Sequence, residues 1–163
     1  MTLLNGLQPG SSASQRIGQK VTIKSIQIKL AADMNANFLP TLCRWFLVVD
    51  RQSNGAAPAA LTDILNAASP YALRNLDNRK RFKILLDKTR AVADYNNAGN
   101  NGVFWNVYMK FRRPFIVEYN AGVAGTVADI VSNSLYLMTI ADQAPGATCP
   151  NLYGKARIRY TDL

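Results

Sequence analysis

Histidine is absent from this chain of 163 residues, and its absence excludes most catalytic chemistry. Imidazole is the commonest general base, the commonest metal ligand and the usual partner of a nucleophilic serine or cysteine. The ten acidic residues are scattered, mostly at predicted strand ends, where a solvated structural carboxylate would also lie. We therefore predict a protein that is not an enzyme and that uses no cofactor.

Cysteines and long hydrophobic runs are also scarce. The two cysteines, Cys43 in an apolar run and Cys149 in a loop, have no spacing typical of a metal site or a disulfide framework. No stretch approaches the roughly 20 apolar residues of a membrane span, and the N-terminus has no signal-peptide pattern. We expect free thiols, no metal, no membrane association, and a protein that is soluble in the cell that makes it.

Acidic residues are outnumbered by basic ones, 10 against 19, which gives a formal charge of +9 and a pI near 9.8. An excess of this size favours a polyanionic partner. Many soluble proteins are moderately basic, so the charge alone does not identify that partner. The length and the hydrophobic fraction of 48% are those of one globular domain with a sizeable core.

Alternating and continuous apolar segments predict an all-β protein. The predicted strands are residues 21–30, 42–50, 81–92, 104–111, 115–119, 127–131, 134–141 and 155–160. A break in parity at Ser25 and Ile26 indicates a β-bulge, and residues 59–67 have the apolar spacing of one short helix. Residues 1–19 are predicted to be an arm or irregular lead-in, residues 20–163 a single domain, and residues 94–102 an exposed loop.

Basic residues alternate with apolar ones in the first, third and last of the long half-buried strands. If those strands share a sheet, their cations lie on one face, where a phosphate backbone could bind. The predicted nucleic-acid-binding residues are Lys20, Lys24, Lys29, Arg79, Lys80, Arg81, Lys83, Lys155, Arg157 and Arg159. The alternative for these residues is that they only solvate exposed strands. Arg79 and Lys80 belong with Arg74 to a second basic group in the loop before the third strand, and Arg112 with Arg113 is a third group. Both groups are equally compatible with solvated turns.

Two further features leave alternatives open. The predicted strands 42–50 and 134–141 are apolar on both faces. On one face, the apolar side chains either form subunit contacts or are covered by loops and the helix: Phe46, Val48, Tyr136 and Met138. Aromatic residues near the basic groups either stack on unpaired bases or belong to the core: Tyr71, Phe82, Phe111 and Phe115. In a carbohydrate-binding module, the aromatic platform would instead be Tyr95, Trp105 and Tyr119.

The order of several segments resembles that of one group of viral coat proteins. These segments are residues 16–21 (RIGQKV), 45–50 followed by QSNG, 58 with 61–65, 80–87 (KRFKILLD), 133–138 (NSLYLM) and 157–162 (RIRYTD). Together they resemble the jelly-roll coat proteins of satellite tobacco necrosis virus and of circular single-stranded DNA viruses with tombus-like capsids. The resemblance covers nearly the full chain from Arg16 to Asp162.

The resemblance implies an eight-stranded antiparallel jelly-roll sandwich of two four-stranded sheets, with the first, third and last strands in one sheet. It implies a capsid protein that forms a homo-oligomeric icosahedral (T=1) shell around a single-stranded genome in the virion, with RNA and DNA both open. Some relatives bind calcium between subunits, for which Asp50, Asp142 and Asp162 are candidates. Relatives carry a basic N-terminal arm, whereas residues 1–15 here contain no Lys or Arg. Either such an arm was removed, or packaging relies on the folded domain, or the shell is empty. A carbohydrate-binding module and a generic single-strand-binding protein remain the alternatives.

Overall fold

The computed structural model describes residues 1–33, 40–92, 102–143 and 150–162, and more than half of these residues lie in strands. The eight strands are β1 (Thr2–Leu3), β2 (Lys20–Asp33), β3 (Thr41–Asp50), β4 (Phe82–Val92), β5 (Val103–Tyr119), β6 (Ile130–Ser132), β7 (Ser134–Ala141) and β8 (Asn151–Asp162). The predicted all-β class is confirmed. Within the described ranges, the helical structure amounts to two single 3-10 turns, Leu61–Asp63 and Val127–Asp129.

The strands form two four-stranded antiparallel sheets, and the predicted sandwich is confirmed. One sheet has the order β1-β7-β3-β4 and the other the order β6-β5-β2-β8. In the second sheet β2 is central, because it pairs along most of its length with β5 on one side and with β8 on the other. In the described part of the chain β8 pairs with β2 alone, so it is an edge strand.

A bulge in this second sheet explains how a proline fits inside a long strand. The register shifts between Ile23 and Ser25 in both ladders of β2, so the predicted bulge exists and centres on Lys24. Residues 111–114 of β5 have no partner on β2, and Pro114 lies among them, where its missing N–H removes no ladder bond. The two strands predicted for residues 104–111 and 115–119 are therefore one continuous strand.

The helix predicted for residues 59–67 is wrong, because only Leu61–Asp63 form a 3-10 turn. The backbone after this turn bonds to residues far along the chain instead of to its own next turn. The Ile64 carbonyl accepts from the Asn75 amide at 2.8 Å, and the Asn66 amide donates to the Leu73 carbonyl at 2.8 Å. Ile64 and Leu65 are thereby both buried against the β1-β7-β3-β4 sheet.

Two apolar cores lie on the two faces of that sheet. The main core, between the sheets, includes Ile26, Ile28, Trp45 and Leu135. A second core on its outer face is covered by the excursion between β3 and β4, and it contains Phe46, Val48, Ile64, Leu65, Ala72, Phe82, Tyr136 and Met138. The second apolar face of β3 and β7 is therefore covered by a loop of the same chain, which is one of the two alternatives predicted for it.

The lead-in of residues 1–19 is packed against one end of the sandwich. β1 pairs with β7, and the buried guanidinium of Arg16 donates to the carbonyls of Leu7, Gly18, Asn120 and Gly122. The same guanidinium carbon lies 4.6 Å from the centre of the Tyr119 ring. These contacts attach the segment to the strand end at Tyr119 and to the loop that follows it.

A buried ion pair joins β3 to the start of β4. The Asp50 carboxylate is fully buried and accepts two hydrogen bonds from Arg81, of 2.9 and 2.8 Å, and one from the Gln52 amide at 3.0 Å. The hydrogen bonds to Asp50 raise the pKa of Arg81 above its ordinary value. Arg81 is thus the counter-charge that keeps a buried carboxylate paired.

Substitution of Arg81 with alanine is expected to lower the free energy of unfolding by about 3 kcal/mol, because Asp50 stays buried without its cation. Urea unfolding monitored by tryptophan fluorescence measures the change. The control is Lys83→Ala, two residues along in an exposed position, for which we expect a change within about 0.5 kcal/mol. Equal losses for the two variants would show that the ion pair does not stabilise the fold.

Candidate nucleic-acid interface

Five exposed cations form a cluster on the outer face of the β6-β5-β2-β8 sheet, which we call the basic face: Lys29, Lys110, Lys155, Arg157 and Arg159. Strand register places them together, since residues directly opposite each other in antiparallel strands point to the same side. On β2, Ile26, Ile28 and Leu30 point into the main core, so Lys29 points outward. Residues of β5 and β8 that are opposite an outward residue of β2 also point outward.

The cations lie in three successive rows across β5, β2 and β8. Lys29 is opposite Lys155, Gln27 is opposite Arg157, and Ser25 is opposite both Lys110 and Arg159. Successive rows are about 7 Å apart along the strands, and neighbouring strands are about 4.8 Å apart. The rows therefore form a compact positive surface rather than isolated charges.

The electrostatics of this surface are unfavourable without an anion. Lys29 and Lys155 are like charges directly opposite each other, an arrangement that destabilises a sheet. No carboxylate of the described residues forms an ion pair with any of the five cations. A bound polyanion would remove the repulsion, and exposed Lys and Arg side chains are the groups that bind phosphates.

Two other residues of β2 that were predicted to bind nucleic acid lie beside the basic face, and they differ in their contacts. Lys20 forms an ion pair of 3.0 Å with Glu118, so its charge is partly compensated. Lys24 is exposed at the bulge and has no partner in either ladder. Both belong to the predicted strand face, but only Lys24 adds an uncompensated charge beside it.

The prediction that the first, third and last long strands share a sheet is wrong. β4 pairs with β3 in the β1-β7-β3-β4 sheet, and it takes Lys83 there together with the preceding turn that contains Arg79, Lys80 and Arg81. Alternation showed that β4 is half-buried, but it carries no information about which sheet accepts the strand. Arg79, Lys80 and Lys83 are exposed, whereas the Arg81 side chain is bound to Asp50.

Lys110 was not predicted from the sequence. It adds a cation to the basic face, whereas the cations of β4 belong to the other sheet. The signal was present, because Phe104, Asn106, Tyr108 and Lys110 share one parity in an alternating segment. Arg112 and Arg113, predicted only as a separate basic group, are exposed in the unpaired stretch of β5 directly after Lys110. β5 is thus the third basic strand of the sheet.

The aromatic residues proposed from sequence lie mostly elsewhere. Phe82 is buried in the second core. The rings of Phe111 and Phe115 stack on each other, with their centroids 4.9 Å apart, and pack against the main core. Tyr71 is exposed, but on the excursion that covers the other sheet. Of the carbohydrate platform, Trp105 and Tyr119 are buried, so this prediction is wrong for both. Tyr95 lies outside the described residues.

The three aspartates considered for calcium each have a separate structural partner. Asp50 binds Arg81, Asp142 accepts from the Leu42 amide at 2.9 Å, and Asp162 accepts from the Ile17 amide at 3.1 Å. The described ranges contain no cluster of three or more potential metal-ligating side chains. Cys43 is buried, and Cys149 lies outside those ranges.

The parts of the chain with described structure include no helix long and apolar enough to span a membrane. In comparisons with known proteins, no curated protein sequence matches the chain. The family model described as satellite tobacco necrosis virus coat protein matches residues 1–163, and hence every strand of both sheets. The chain therefore belongs to the satellite tobacco necrosis virus coat protein family.

Proposed function

We propose that this coat protein assembles with copies of itself into a small icosahedral shell (T=1) and encloses single-stranded nucleic acid. The observation that carries the nucleic-acid part is the basic face, with five exposed cations that have no carboxylate partner among the described residues. Membership of a coat protein family supports the assembly part, and a protein of this kind is structural.

The basic face sets the orientation of the subunit in the proposed shell. Packaged phosphates and the five cations attract each other, so the β6-β5-β2-β8 sheet faces the genome. The opposite sheet, with its second core and covering excursion, then faces away from it. Contacts with phosphates are independent of base sequence and weaken as salt concentration rises.

The lead-in gives the proposal a further argument. Residues 1–15 contain no Lys or Arg, and Arg16 is buried in contacts with backbone carbonyls. Within residues 1–163, the exposed cations that could bind packaged phosphates therefore lie after the lead-in. The basic face is the group of described cations that best meets this need, because its members are exposed and adjacent.

The purified protein is expected to form particles of one size, because a closed shell has a fixed number of subunits. Electron microscopy and light scattering at several salt concentrations and pH values measure the size. The ratio of absorbance at the nucleic-acid and protein maxima shows whether nucleic acid is enclosed. A protein that stays monomeric at high concentration under all these conditions would contradict the assembly proposal.

Combined substitution of Lys29, Lys155 and Arg157 with glutamine is expected to weaken binding of a single-stranded oligonucleotide and to reduce its salt dependence. Each phosphate contact contributes about 0.7 to the slope of log affinity against log salt for single strands, so the slope should fall by about 2. Fluorescence anisotropy of a labelled oligonucleotide measures both quantities. The nucleic-acid content of particles should fall in parallel.

The matched control replaces Arg79, Lys80 and Lys83 with glutamine. This variant removes the same number of charges from exposed positions, but from β4 of the other sheet and from the turn that precedes it. We expect it to retain most of the affinity and most of the salt slope. If both variants lose affinity equally, overall charge rather than the basic face binds the nucleic acid, and the proposed interface is wrong.

A further inference from the structure

Three exposed aromatic rings accompany the cations on the outer face of the β6-β5-β2-β8 sheet. Among the described residues, four aromatic side chains are more than half exposed: Tyr71, Phe104, Tyr108 and Tyr153. Three of these lie on the sheet of the basic face, on β5 and β8. Exposed large apolar groups gathered on one surface mark an interaction site more often than scattered ones do.

Strand register places Phe104 and Tyr153 on either side of a small residue. Both are opposite Ala31 of β2, one on each neighbouring strand, and all three follow the outward parity of Lys29. Two strand spacings, about 10 Å, separate the two aromatic positions. Ala31 is small, so its side chain leaves the faces of both rings accessible to a flat ring system.

The Tyr153 ring is held in place by its hydroxyl group, which donates a hydrogen bond to the Asp33 carboxylate. This bond restricts the side chain before any ligand binds, so less rotamer freedom is lost on stacking. Asp33 lies at the end of β2, two residues beyond Ala31. Its carboxylate is therefore at the margin of the surface and is used for positioning.

The third ring extends the arrangement along the sheet. Tyr108 is opposite Gln27, in the same row as Arg157, and the Lys29–Lys155 row lies between it and the Phe104–Tyr153 row. Aromatic and cationic rows thus interleave at intervals of about 7 Å. A single strand of nucleic acid presents both bases and phosphates to such a surface, whereas a duplex keeps the faces of its bases stacked inside.

Resting on the proposed function, we infer that Phe104, Tyr108 and Tyr153 form a base-stacking platform within the nucleic-acid interface. The ligand class is single-stranded nucleic acid with unpaired bases, bound without regard to base sequence. The cations bind the phosphates and the rings bind the bases. The platform therefore distinguishes a single strand from a duplex or from another polyanion of equal charge.

The test uses the purified full chain and two labelled probes of equal length and charge, an oligodeoxyadenylate and an abasic deoxyribose-phosphate oligomer. Fluorescence anisotropy at a fixed salt concentration gives both affinities. We expect the oligodeoxyadenylate to bind at least about 10-fold more tightly, because each stacked base contributes about 5- to 150-fold. In the triple variant Phe104→Leu, Tyr108→Leu, Tyr153→Leu, this preference should fall to within about 2-fold.

Two control variants separate stacking from folding effects. Tyr71→Leu removes an exposed ring from the excursion over the other sheet and should keep the full preference. The variant Phe104→Tyr, Tyr108→Phe keeps every ring and the Tyr153 hydroxyl group, and it should also keep the preference. Affinity for the abasic probe, which depends on the cations, should be the same in all four proteins.

The outcomes distinguish this inference from the proposed function. Equal affinity of the natural protein for the two probes would overturn the platform and leave the basic face intact. Failure to bind either probe at low salt would overturn the proposed function itself. If the triple variant changes particle size in light scattering but keeps the preference for bases, the rings are subunit contacts and the inference is wrong.

Discussion

The pairing of β2 with two neighbours at once is the constraint on which the arrangement of this molecule depends. Its ladders with β5 and β8 shift register at the same place, between Ile23 and Ser25, so the three strands stay aligned on both sides of the bulge. A slip of one residue in either ladder would turn every side chain of a neighbouring strand to the other face. The apolar side chains of alternate residues fill the main core. The same alternation therefore determines which cations and aromatic rings lie on the outer face of the sheet.

Two groups among the arginines and lysines of this chain have different roles. Arg16, Arg44 and Arg81 are bound inside the protein, to backbone carbonyls, to Asp87 and to Asp50 respectively. The members of the basic face have no such partner in the described part of the chain. Each residue of both groups contributes equally to the formal charge of +9, but only the basic face is available to neutralise an external anion. The division depends on where each carboxylate and carbonyl lies in three dimensions.

Sequence patterns predicted the strands better than their partners. Alternation in residues 21–30 and 155–160 identified β2 and β8 and the outward side of each, because parity is a local property of a strand. The sheet that accepts β4 depends on its pairing with β3, which no local pattern encodes, so Arg81 and Lys83 were assigned to the wrong surface. The segment 59–67 shows the same limit, since distant backbone partners at residues 73 and 75 replaced the expected helical bonds.

The position of β8 at the edge of its sheet has a consequence for how the protein avoids unwanted association. An edge strand offers unpaired backbone groups to the edge of any other copy, which is a route to fibrous aggregates. On β8 the outward side chains include Lys155, Arg157 and Arg159, so two such edges would meet with like charges close together. The same three side chains that make the surface attractive to phosphate thereby keep free copies of the protein from joining edge to edge.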